Sequence, residues 1–237
     1  FYLGFFSLNF YLKTLDRNRV TNIVYFFAAG AVITSVIGLV LFNLSIVERA
    51  QSFGSGYTTF SSFLLAGFGI TVCLKNEWKN FLIYKALSAG IILAGIVTSL
   101  GRTSIAIALL IFISAFLLKS FRFKTGLAIL ITASLLSLIS FFNNSSVVTQ
   151  RVEAPAELSD RDIIYKGADQ IKFEHPLLGY GPRTFHEIFP LKSEFADPGI
   201  GGWHNDFLQI YFESGLLGLL SFLLLLSAII FYAIKYL

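Results

Sequence analysis

Long apolar runs separated by short polar breaks cover most of the chain. The runs fall at about 1–12, 21–42, 58–74, 81–100, 103–118, 125–142 and 209–234. A helix that crosses a bilayer needs roughly 20 predominantly apolar residues, with a range of about 17–25. Most of the runs fit, and 103–118 is short. The expected fold is therefore all-α, a polytopic transmembrane helix bundle. The chain opens on Phe1 within an apolar run rather than on Met. Its first span is expected to be the remainder of a longer N-terminal part, not a signal peptide.

One break differs from the rest. Residues 143–208 form a polar stretch that holds all five prolines and all three histidines. Such length is uncommon without secondary structure or a function. Part of it reads as an amphipathic helix over 160–174. Ser159 and Asp162 resemble a capping box, and Ile164, Ala168 and Ile171 follow at i, i+4 and i+7. His175-Pro176 closes the pattern, because the residue before proline disfavours the helical region. That helix is expected to lie on the membrane or on the bundle. Three segments follow: membrane helices over 1–142, a partly helical loop over 143–208, and a last membrane helix over 209–237.

Composition supports the bilayer as solvent. The chain is 55% hydrophobic and 14% charged, whereas soluble domains carry about 25% charged residues. Basic residues sit singly between apolar runs, which excludes a nucleic-acid patch. Cys73 is the single cysteine, so no intrachain disulfide or cysteine metal site can form. Its place in an apolar run suggests a buried, inert thiol.

Charge sets the expected orientation. Lys13, Arg17, Arg19, Lys75, Lys79, Lys85, Lys119, Arg122, Lys124 and Lys235 alternate onto one side with only Asp16 and Glu77 as acids. The opposite breaks hold eight basic and twelve acidic residues. Short basic loops face the cytoplasm, so 143–208 is expected on the outer face.

Three stretches could carry chemistry. In Gly101-Arg102-Thr103, a span counted back from Leu118 puts Arg102 inside the first helical turn. An arginine there faces water, protein or a bound anion, or snorkels to headgroups. Arg161 begins the amphipathic helix, and Arg183 follows the Gly179-Tyr180-Gly181-Pro182 turn. That turn is no dinucleotide fingerprint, since Thr184 occupies the third glycine position. Asp160-Arg161-Asp162 spells an acid-x-acid metal pattern, yet helix capping suffices to explain it, and no metal is expected. His204 stands at the entry to the last span, where an imidazole can either hydrogen-bond at the interface or take a proton from a hydroxyl. Trp203 suits an interfacial aromatic belt. Glu213, nine residues after His204, is expected to face the bundle interior.

Taken together these stretches resemble the O-antigen ligase and polymerase family of polysaccharide-assembly membrane proteins. The matching residues are Gly-Arg-Thr-Ser at 101–104, and Ser-x-Arg…His-Pro-Leu-Leu-Gly-Tyr-Gly-Pro-x-x-Phe over 159–185. His-Asn-Asp-Phe-Leu-Gln…Glu-x-Gly-Leu-Leu-Gly-Leu over 204–219 completes the set. The last two are fairly specific as a pair. The family has further N-terminal spans, so the chain resembles its C-terminal portion.

The resemblance implies a glycosyltransferase of the bacterial inner membrane, without cofactor, acting on the outer face. Its donor would be an undecaprenyl-pyrophosphate-linked glycan. Its acceptor would be a lipid A core, for a ligase, or a second lipid-linked glycan, for a polymerase. By matched position, Arg102 and Arg161 would hold the pyrophosphate and His204 would be the base of a metal-independent, inverting transfer. Tyr180, Arg183, Trp203, Asn205 and Glu213 would line the substrate site, with Arg183 a departure from the small residues commoner there. The rival reading is a transporter or flippase of an anionic or lipid-linked substrate. Neither the inverted repeats nor the mid-membrane helix break common in transporters is expected here. A purely structural membrane subunit would leave the long charged loop without a purpose.

Overall fold

A computed structural model describes residues 16–52, 56–74, 81–144, 149, 161–195 and 201–235. The first apolar stretch, at 1–12, lies outside the described residues, as do Ser159 and Asp160 of the expected cap. The helices are α1 (Arg17–Asn43), α2 (Gly56–Cys73), α3 (Phe81–Thr98), α4 (Arg102–Leu117), α5 (Phe123–Asn143), α6 (Arg161–Ile171), α7 (Phe185–Ile188) and α8 (Asp206–Lys235). A 3₁₀ turn spans Lys192–Glu194. The described residues are helical with no strand, as expected. Among them α1, α2, α3, α5 and α8 are long and apolar enough to cross a membrane. α4 has 16 residues, about 24 Å at 1.5 Å per residue.

The chain divides into two compact units, Phe1–Thr149 and Gln150–Leu237. In the first, α3 is central and packs against α1, α2, α4 and α5. Close approach explains its composition. A Cβ on Gly90 would come within 2.6 Å of Thr132 on α5, and one on Gly95 within 2.3 Å of Ser35 on α1. In a bilayer no hydrophobic drive separates helix from lipid, so packing through small residues and a few hydrogen bonds holds such helices together. Ser35 Oγ supplies one bond, donating to Ile91 O of α3 at 2.7 Å.

The two ends of this unit differ in chemistry. At one end, amides and hydroxyls link α1 to α5: Asn43 Nδ2 donates to Ser140 Oγ (2.8 Å) and Asn144 Nδ2 to Phe42 O (2.9 Å). Ala50 N and Arg49 Nε there donate to Thr98 O and Ser99 O. At the other end Lys85, only 4% exposed, donates to Leu74 O (2.8 Å) and Ser120 O (3.0 Å). Those carbonyls follow the C-termini of α2 and α4, where a helix dipole favours a cation. Cys73 ends α2 and is exposed. The expectation of a buried thiol fails because the residue sits at the helix terminus, beyond the packed part of the apolar run.

The second unit has its own core of Ile164, Ala168, Ile171, Phe185, Phe189, Trp203 and Phe212. The apolar stripe expected of α6 is the face that enters it. Gly167 belongs to the same face, and a Cβ there would meet Phe189 at 2.3 Å. The amphipathic helix therefore packs on aromatic residues of its own unit.

α8 departs from expectation. It is broken at Gly215, whose φ of 64° and ψ of −165° are not helical. The segment after the break, Leu216–Lys235, has about the 20 residues a span requires. A break frees carbonyls before it and amides after it, and buried backbone groups must be satisfied. The loop after α6 does this. Tyr180 N donates to Phe212 O (2.7 Å) and Gly181 N to Glu213 O (3.0 Å). In return Leu216 N donates to Pro176 O (2.8 Å) and Leu217 N to Leu177 O (3.4 Å).

Two glycines make this fit obligatory. Gly215 and Gly179 both have positive φ, 64° and 70°, a region L side chains disfavour. A Cβ on Gly215 would lie 2.2 Å from the Leu177 carbonyl, and one on Gly179 2.6 Å from Phe212 O.

Candidate active site

Within the second unit, His204 lies between a buried residue and a helix cap. Trp203 before it is 1% exposed, stacked on Phe212 with ring centroids 4.0 Å apart. It therefore packs inside the core rather than in an interfacial belt, because the helix break brings Phe212 beneath it. Its Nε1 has no hydrogen-bond partner among the described residues. Leaving such a donor buried costs about 1–3 kcal/mol, which the aromatic packing offsets. Asn205 after it caps α8, its Oδ1 accepting from Phe207 N (3.0 Å) and Leu208 N (3.3 Å). Such caps satisfy the orphan amides of a first turn.

Between these anchors His204 takes a left-handed backbone, φ 47°, and its side chain is exposed. A left-handed residue without a glycine's freedom stores strain that surrounding structure must hold, and such residues cluster at functional sites. Here the buried indole and the helix cap hold it.

The same capping residue reaches α6. Asn205 Nδ2 donates to Tyr165 Oη at 3.3 Å. Tyr165 lies four residues after Arg161 on α6, so the two share a helix face. The bond thus ties the His204 segment to the face of α6 that bears Arg161, which is exposed at the helix start. Tyr165 was not among the residues expected at the site. Its i+4 spacing from Arg161 was the available signal.

The break in α8 organises a second group. Tyr180, half-buried, donates its hydroxyl to Glu174 Oε2 (2.6 Å). Burial, then the bond to Glu174 and that residue's charge, push the Tyr180 phenol up to about 12. Arg183 also has a left-handed backbone, φ 61°, and its N–H donates to Glu213 Oε1 at 3.1 Å. Gln209 Nε2 donates to that same oxygen at 3.2 Å. Glu213 is thus half-buried and turned to the loop, not free within a bundle interior.

Arg102 belongs to the first unit. It is the first residue of α4, after Gly101 in extended conformation, and it is exposed. Ser104, two residues on, donates to Ser61 Oγ of α2 (2.9 Å). At this same end Arg49 stacks on Tyr57, 3.2 Å from the ring centroid, and bonds Ser99 O at 2.9 Å. Arg49 was likewise not expected. A lone arginine beside Glu48 in a short break gives little sign of its place.

Exposed Arg161 and exposed His204, carried by elements that pack on one aromatic core, are suited to binding an anion and moving a proton. The family model described as O-antigen ligase matches residues 87–223. The chain belongs to the O-antigen ligase family. The match spans more than half the chain and includes the Gly101–Ser104, Ser159–Phe185 and His204–Leu219 segments, as the resemblance implied. Membership makes this a multi-pass membrane enzyme of polysaccharide biosynthesis, transferring glycans with lipid-linked substrates. No curated protein and no solved structure matches the chain.

Proposed function

We propose that this protein transfers a glycan from undecaprenyl pyrophosphate to a sugar hydroxyl, on the outer face of the bacterial inner membrane. The observation that carries the reading is the bond from Asn205 to Tyr165, which ties exposed His204 to the helix face of exposed Arg161 in a chain of this family. The acceptor is a lipid A core or a second lipid-linked glycan.

In this reading a neutral His204 imidazole nitrogen takes the proton of the acceptor hydroxyl. The oxygen attacks the anomeric carbon, the bond from that carbon to the phosphate oxygen breaks, and the electron pair leaves with undecaprenyl pyrophosphate. One displacement inverts the anomeric centre. Arg161 holds the pyrophosphate and neutralises the charge that grows on it, and Arg102 is given the same task by its sequence match to the family alone. Planar guanidinium forks suit that task, as bidentate donors and as permanent charges, and can fill the role of a divalent cation. Tyr180, Arg183, Trp203, Asn205 and Glu213 shape the surrounding surface, Trp203 and Asn205 from beneath through packing and capping.

The broken α8 is the one observation on the side of a transporter, where half-helices often bind ions through freed carbonyls. Here loop amides occupy the carbonyls of Phe212 and Glu213, which favours a fixed scaffold over an ion site.

The deciding experiment reconstitutes the full-length protein with lipid-linked glycan, with and without lipid A core. A new glycosidic product made by wild type and lost in His204→Ala supports the reading. Movement of the lipid-linked glycan across the bilayer without a product would replace it with the transporter.

A further inference from the structure

We infer that Glu213 is a positioning residue, which holds the backbone of Arg183 so that its guanidinium can serve as a donor-pyrophosphate contact. The inference rests on the transfer reading above and deepens it. Three observations carry it. Glu213 Oε1 accepts the Arg183 N–H at 3.1 Å, and the Glu213 carbonyl accepts the Gly181 N–H at 3.0 Å. One residue therefore grips both ends of Gly181-Pro182-Arg183. Arg183 is held at φ 61°, where an arginine does not stay without restraint. Its side chain is exposed and meets no partner among the described residues.

The charge argument points the same way. A carboxylate turned toward a pyrophosphate would repel it, and at short range that repulsion is strong. Glu213 instead spends its acceptor on a backbone N–H and on Gln209 Nε2 (3.2 Å), a charge-assisted pairing stronger than a neutral one. Its place immediately before the Gly215 break lets this happen. The helix ends at Ser214, and the loop that fills the break brings Arg183 within reach of the carboxylate. Glu213 acts through Arg183, and Gln209, one turn earlier on α8, orients the carboxylate.

The test is donor kinetics on full-length protein in membranes, with Glu213→Ala, Glu213→Gln, Arg183→Ala and the double alanine variant. Arg183→Ala should raise donor KM by about ten- to a hundredfold, the scale of one hydrogen bond to a charged group, with kcat little changed. Glu213→Ala should raise KM similarly, and the double variant should match Arg183→Ala alone, because coupled residues are not additive. Glutamine keeps an acceptor oxygen for the Arg183 N–H, so Glu213→Gln should recover most of the loss. That rescue also excludes misfolding as the cause.

Additive effects in the double variant would overturn the inference, as would an Arg183→Ala variant with unchanged KM. So would Glu213→Gln as damaged in kcat as Glu213→Ala, since that would make the charge itself reactive. A wild-type protein that forms no glycosidic product would instead remove the transfer reading, which separates the two failures.

Discussion

His204 joins strain to chemistry. A left-handed backbone costs an L-residue roughly 1–2 kcal/mol, and here the buried Trp203 and the Asn205 cap hold it in place. Replacing His204 by alanine keeps both anchors. Donor binding should survive while transfer slows by about 10²–10⁴-fold, the usual span for a general base. Full activity in His204→Ala, measured as product formation at saturating donor, would remove the base from the mechanism. Arg161 should behave differently. Arg161→Ala should weaken donor binding and turnover together, and lysine should restore only part, because an ammonium lacks the planar fork. Complete rescue by lysine would reduce Arg161 to a point charge.

Tyr180 gives a pH prediction at the same scale. Its phenol is raised from 10.0 to about 12, so the folded state favours the neutral hydroxyl that donates to Glu174. The stabilisation is complete below pH 10 and disappears as pH rises through about 12. Loosening of the loop over that window, followed by Trp203 fluorescence on a Trp78→Phe background, should be absent in Tyr180→Phe. An identical profile in Tyr180→Phe would show that the bond to Glu174 does not report on the loop.

At the scale of elements, the break in α8 shows what a linear pattern conveys and what it does not. Each complete apolar stretch before the loop reappears as a helix within about four residues of its expected ends, since a backbone in a bilayer must satisfy its own hydrogen bonds. The face of α6 was legible too, because Ile164, Ala168 and Ile171 keep helical spacing. Gly215 was not legible as a break. A glycine among leucines reads as close packing, and its partner Gly179 lies 36 positions earlier in the chain. The two motifs that are specific as a pair, over 159–185 and 204–219, turn out to be hydrogen-bonded to each other across that break, through residues 176–181 of the first. For the same reason Trp203 suits an interfacial belt in sequence and is a core ring in the fold, while Asn205, expected to line the substrate site, caps α8. Gly215→Ala should therefore do more than a helix-favouring substitution suggests. Its Cβ has no room beside Leu177 and its φ is unfavourable, so a loss of about 2–4 kcal/mol is expected. Protease sensitivity of the 172–205 segment should rise, and an unchanged digestion pattern would mean that the helix closes without cost.

At the scale of the molecule, charge decides which end of the bundle should meet which compartment. In the first unit the end with Lys85, Lys119 and Arg122 is basic, and the end with Asn43, Arg49 and Asn144 is mainly neutral and hydrogen-bonded. Basic short loops stay in the cytoplasm, so Lys119 should lie inside. α5 then carries the chain across the bilayer, so the loop ahead of α8, with His204 and Arg161, should lie outside. Single cysteines test this on a Cys73→Ser background, needed because native Cys73 is exposed. Ser193→Cys and Lys119→Cys both replace exposed residues, so neither should disturb packing. A membrane-impermeant maleimide added to intact spheroplasts should modify the cysteine at 193 and spare the one at 119 until the membrane is opened. The reverse pattern would place His204 in the cytoplasm. A glycan acceptor on the outer leaflet could not reach it there, and the transfer reading would fall with the orientation.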